Sequence, residues 1–123
     1  MKKLFALRGA SQCFNAEDDI CDQVAFMYDE LLLENKLEEK DIVSAVFSVT
    51  ADLDMVNPCS ALRKKGRAQD VALFSVLEPD SKNSIERTVR VIIHCYLEED
   101  SKAVHVYRNG AEVLRPDRAR VLL

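Results

Sequence analysis

The chain has 123 residues, 48% of them hydrophobic, and a formal net charge of -4. That length suits one domain with a real core, and the acidic balance argues against a broad nucleic-acid-binding face. No apolar run approaches the roughly 18 residues that span a bilayer, and Leu4 to Leu7 is too short for a signal peptide. A cytoplasmic protein with neither membrane nor nucleic-acid partner is therefore expected.

Leu4 to Leu7 reads as a short first strand, ended by Arg8-Gly9-Ala10. A long helix is predicted from Asn15 or Glu17 to Asn35. Ile20, Val24, Met27, Leu31 and Leu32 recur at helical spacing, and Glu17, Asp18 and Asp19 favour the positive end of the helix dipole. Asn35 suits a helix stop. A second strand runs from Asp41 to about Val49, and a short helix follows Pro58 and ends at Gly66. Val71 to Leu77 is a third strand. Val89 to Leu97 is a fourth, with Val89, Val91, Ile93 and Cys95 on one face and Arg90, Ile92, His94 and Tyr96 on the other. Val104 to Tyr107, the pair Asn109-Gly110, and Glu112 to Leu114 predict a hairpin. Pro79 to Ser84 and the tail, about 118-123, are the expected floppy segments.

This order predicts an α+β fold: a single mixed β-sheet of about five strands, with one long and one short helix on one side. Repeats are absent, and residues 1-123 read as a single domain. The other sheet face lacks cover from the chain, so a second subunit is its natural partner.

Cys13, Cys21, Cys59 and Cys95 show no CxxC spacing, and His94 and His105 lie apart, so free thiols and no metal site are expected. Arginines carry more information. Arg8 and Arg115 border apolar runs, and Arg90 sits inside Val89-Arg90-Val91-Ile92-Ile93, where a cation is costly without a purpose. Guanidiniums in such settings, without a nucleophile or phosphate loop, suit a protein that holds an organic anion and acts on it by field and shape. Taken singly, each residue has a plainer reading. Arg90 also fits a water-facing strand, Glu78 a solvated loop, and Tyr107 cross-strand packing. Arg8 and Arg115 also fit surface charges. His94 and His105 read as sheet residues.

Several short motifs occur together: Arg8-Gly9-Ala10, Thr50-Ala51-Asp52-Leu53-Asp54, Pro58 with Arg63, Glu78, Arg90-Val91, His105-Val106-Tyr107 and Leu114-Arg115-Pro116-Asp117. In this order and spacing the chain resembles the small monofunctional chorismate mutases of the trimeric pseudo-α/β-barrel class, from about Leu4 to Asp117. The resemblance implies a homotrimer with active sites between subunits. It implies chorismate as the substrate, rearranged to prephenate on the route to phenylalanine and tyrosine, with no cofactor and no metal. It also implies roles. Arg90 would meet the charge that grows on the ether oxygen, while Glu78 would accept the ring hydroxyl and orient Arg90. Arg8 and Tyr107 would bind carboxylates. Phe74, Ser75, Val76 and Leu77 would form the ring-contacting strand, and Arg63, Leu114 and Arg115 would line or close the mouth. Asn57, Cys59, Ser60 and Leu73 would border the same pocket.

The chain departs from the family pattern at several points. Asn57 stands where an aromatic residue is usual, Cys59 and Ser60 where small and basic ones are, and Arg67-Ala68 where Gly-Trp is. Ser75 replaces a common cysteine, beside a bulky Phe74. These changes are expected to lie in the pocket, with two readings open. Phe74 fills the space that Asn57 vacates in a working enzyme, or the protein is a catalytically weak trimeric paralogue that binds another small carboxylate.

Overall fold

A computed structural model describes residues 1-115. In chain order the elements are β1 (Lys2–Gln12), α1 (Glu17–Glu34), β2 (Ile42–Val49), α2 (Pro58–Lys64), β3 (Leu73–Leu77), β4 (Thr88–Glu98) and β5 (Val106–Arg108). Short 3-10 turns lie at Glu39–Asp41 and Ala111–Leu114. The strands form one mixed sheet in the order β3-β2-β4-β1-β5, with β4 antiparallel to β1 and β2. The two edge strands run parallel to their neighbours, β3 to β2 and β5 to β1. The expected α+β sheet with one long and one short helix is present.

Local chemistry accounts for both helices. Ile20, Val24, Met27 and Leu31 of α1 are buried, each such side chain contributing about 1.5–3 kcal/mol. Asn35 ends α1: its amide donates to the carbonyls of Leu31 (2.8 Å) and Val104 (2.9 Å) and accepts from Val104 N–H (2.8 Å). Asn57 caps α2 by accepting from Cys59 N–H at 2.8 Å, Pro58 takes the first helical position, and Gly66 leaves with φ +78°. Leu7, Phe47, Val89, Ile93 and Cys95 line the sheet face beneath these helices and are fully buried. Among the described residues no helix is long and apolar enough to cross a membrane.

Two sequence expectations are corrected. β1 does not end at Arg8-Gly9-Ala10 but runs through it to Gln12. Gly9 is there for helix contact and not for a bend, since a Cβ on it would meet Leu31 Cδ1 at 2.9 Å and Met27 at 3.2 Å. The predicted C-terminal hairpin is also absent. Asn109 (φ 57°) and Gly110 (φ 100°) do take left-handed conformations, but they lead into the Ala111–Leu114 turn, and β5 pairs with β1. Burial of Ala111 against Ala10 and Tyr107 outweighs a ladder only three residues long. That turn also covers one end of the sheet face expected to be bare. Elsewhere the face is open, with Phe74 65% exposed and Leu4, Val76 and Tyr96 also exposed on it. His94 lies in β4 as expected, whereas His105 precedes β5. Pro116 and Asp117 of the last motif, and the expected floppy tail, lie outside the described residues.

Candidate active site

Strand register assembles the site. Tyr107 pairs with Ala10, Ala10 with Arg90, Arg90 with Ser48 and Ser48 with Val76, giving one row across all five strands on the open face. The next row holds Arg8, Ile92, Val46 and Phe74. Strands lie about 4.8 Å apart, so Arg8, Arg90 and Tyr107 converge although they are far apart in the chain. Two hollows result. One of 150 Å³ is lined by Arg8, Ala10, Arg90, Tyr107, Leu114 and Arg115, and an adjoining one of 220 Å³ by Arg8, Val46, Ser48, Arg90 and Ile92.

Arg90 is held by an ion pair that leaves its Nε without a hydrogen bond. Its Nε lies 3.4 Å from Glu78 Oε1, yet it is buried and makes no hydrogen bond. Glu78 Oε1 accepts instead from Ser48 Oγ at 2.6 Å, and the backbone N–H of Glu78 donates to Val49 O at 2.9 Å. The charged fork of Arg90 therefore faces the hollows. Nearby, the backbone N–H of Arg8 donates to His105 Nδ1 at 3.0 Å, just before β5 begins to pair with β1. Leu114 packs on Ala10, Tyr107 and Ala111, and Arg115 stands at the rim. Three guanidiniums and a phenol around an apolar floor suit a small polyanionic ligand.

The remaining pocket candidates form a separate group. Asn57 Nδ2 donates to Ser75 Oγ at 2.8 Å, and Asn57 Oδ1 accepts from Cys59 N–H. Burial pushes the Cys59 thiol up, which disfavours a thiolate nucleophile there. Arg63 is exposed on α2 and donates to Val71 O at 3.0 Å, and Ser60 is exposed beside it. Leu73 packs against the core. Phe74 and Val76 face the open side, while Ser75 and Leu77 face the other, by the alternation of β3. Phe74 thus stands on the opposite face from the Ser75 that Asn57 holds, so within the chain it does not fill the space beside Asn57. Nor do Arg67 and Ala68 lie in the pocket. Arg67 clamps Asp29 of α1 through Nε (3.1 Å) and Nη2 (2.7 Å), and the buried Ala68 donates its N–H to Glu39 at 2.8 Å.

A larger hollow of 360 Å³ between the Thr50–Asp52 turn and the Leu77–Glu86 segment contains Asp52, Glu78, Asp80 and Glu86. Asp52, Asp80 and Glu86 repel a polyanion there, so charge favours the arginine cleft over size, while Glu78 reaches Arg90 from the border of this hollow. Nothing in the sequence marks Ser48 as a site residue, and His105 is named there only as part of a motif and read as a sheet residue. The serine gains meaning through register opposite Arg90, and the histidine through its bond from Arg8 N–H.

The profile of the chorismate mutase type I family matches residues 4–118. The chain belongs to the chorismate mutase type I family. The chorismate mutase AroH of Thermus thermophilus is 30% identical over 117 residues, covering 90% of this chain and 95% of that protein. A chorismate mutase from Clostridium thermocellum superimposes with a TM-score of 0.80 at 37% identity, covering 89% of this chain and 98% of that one. Within the chorismate mutase framework the departures sort by place. Asn57 and Ser75 pair beside α2, Arg67 pins α1 through Asp29, and none of the expected departures falls in the row of Tyr107, Ala10, Arg90, Ser48 and Val76.

Proposed function

We propose that this isomerase converts chorismate to prephenate in a cleft built on Arg8, Arg90 and Tyr107. The observation that carries the reading is the Arg90 guanidinium, steadied by Glu78 at 3.4 Å but without a hydrogen bond to its Nε. As the C–O bond breaks, negative charge grows on the ether oxygen. A pre-placed cation binds that charge better than it binds the ground state. Arg8 and Tyr107 take the substrate carboxylates, and Glu78 accepts the ring hydroxyl. Leu114 and Arg115 close the mouth. Holding the enolpyruvyl arm over the ring supplies several further kcal/mol by orientation.

The reading includes a homotrimer of single-domain chains over residues 1–123, with the cytoplasm as its location. Each hollow at Arg90 is smaller than the roughly 300 Å³ usual for a ligand pocket. The group on α2 and β3, comprising Arg63, Asn57, Cys59, Ser60, Phe74 and Ser75, then completes the cleft of a neighbouring subunit, with Leu73, Val76 and Leu77 backing it. Phe74 and Val76 supply apolar surface for that assembly.

Loss of chorismate absorbance on adding purified protein tests the reaction. Chorismate that binds without turnover would favour the weak carboxylate-binding paralogue. Mixed subunits test the shared cleft. Arg63→Ala and Arg90→Ala chains, each nearly inactive alone, should regain activity when refolded together, with about a quarter of sites intact. No recovery would reject the intersubunit cleft.

A further inference from the structure

We propose that Ser48 is a positioning residue for the rearrangement, acting through Glu78 to keep Arg90 available to the substrate. This rests on the chorismate mutase reading of the cleft. Ser48 stands directly across from Arg90 in the β2–β4 ladder, and its side chain lines the same hollow. Its hydroxyl donates to Glu78 Oε1 at 2.6 Å, the short distance of a hydrogen bond to a charged acceptor. Arg90 Nε approaches that same oxygen to 3.4 Å and is left buried without a hydrogen bond. Two donors face one oxygen, and the hydroxyl holds it.

The outcome of that competition matters for the chemistry. A carboxylate released from Ser48 can turn onto Arg90 and close a two-point pair through Nε and a terminal nitrogen. Such a pair spends the planar fork on the protein and screens its field at the ether oxygen. With Ser48 in place, Glu78 stays near enough to orient the guanidinium but does not clasp it. The carboxylate also keeps its second oxygen for the ring hydroxyl. In this role Ser48 makes no bond to the substrate, so its effect belongs in the chemical step more than in binding.

Steady-state kinetics with chorismate on wild type, S48A, S48T, E78A and the S48A/E78A double variant test this, together with thermal unfolding of each. S48A should lower kcat about tenfold with a smaller change in KM and little change in Tm. S48T keeps the hydroxyl in a strand that tolerates a β-branched side chain, and should recover most of the loss. In the E78A background S48A should cost nothing more, because the tether then has nothing to hold. S48A with wild-type kcat, S48T as slow as S48A, or losses that multiply in the double variant would each overturn the proposal. A wild type that fails to consume chorismate would instead overturn the reading beneath it.

Discussion

Gly9 of β1 lies directly under Leu31 of α1, and a Cβ at Gly9 would stand 2.9 Å from Leu31 Cδ1. The neighbouring residue, Arg8, projects from the opposite face into the cleft, so the helix seat and an arginine of the cleft share one stretch of backbone.

Gly9→Ala should therefore destabilise the fold by about 1–3 kcal/mol, the usual cost of forcing atoms into a packed core. Urea unfolding followed by circular dichroism measures it. A midpoint equal to wild type would show that Leu31 and Met27 yield without cost.

Arg90→Ala should cost about 3 kcal/mol or more of transition-state stabilisation, at least a hundredfold in kcat/KM, with an unchanged far-ultraviolet spectrum. Arg90→Lys should recover only part, because a point charge replaces a planar fork. Full activity in the alanine variant would remove this residue from the mechanism.

Asn35→Ala removes two hydrogen bonds that join the end of α1 to Val104 and a third to Leu31 O within the helix, and should cost about 1–3 kcal/mol. The loss should appear as a lower Tm. Hydrogen exchange should quicken at Val104, whose N–H loses its acceptor.

Alkaline pH should weaken the fold. Burial pushes the Cys13 thiol up to about 12 and the Cys95 thiol up to about 11. In the unfolded chain both ionise at about 8.5. The unfolded chain then holds fewer protons than the folded one, so stability is intact below that value and falls as pH rises towards the folded values. Urea midpoints under reducing conditions at about pH 7.5 and about pH 9.5 check the direction, and the higher pH should give the lower midpoint. Cys13→Ala should flatten the difference.

Much of the architecture is legible in the residue pattern alone. The long helix is one such element, because its apolar stripe, acidic first turn and terminal Asn35 agree with one another. The C-terminal segment is not, because left-handed residues at Asn109 and Gly110 suit a hairpin or a turn equally well. Contacts of Ala111 with Ala10 and Tyr107, remote in sequence, decide between them. In the cleft, Arg8, Arg90 and Tyr107 are marked by motifs that the family resemblance supplies. Ser48 carries no such mark, since its part depends on standing opposite Arg90. The pairing of Asn57 with Ser75 likewise follows from tertiary placement and not from local pattern.

The chain contains no tryptophan and three tyrosines, and the fold sends each phenol to a different compartment. Tyr28 is sealed in the core, Tyr96 lies on the open sheet face, and Tyr107 borders the arginine cleft. Replacing two of the three with phenylalanine leaves a single native fluorophore. Changes in the core, on the open sheet face and at the arginine cleft can then be followed optically, one at a time, without attaching a dye.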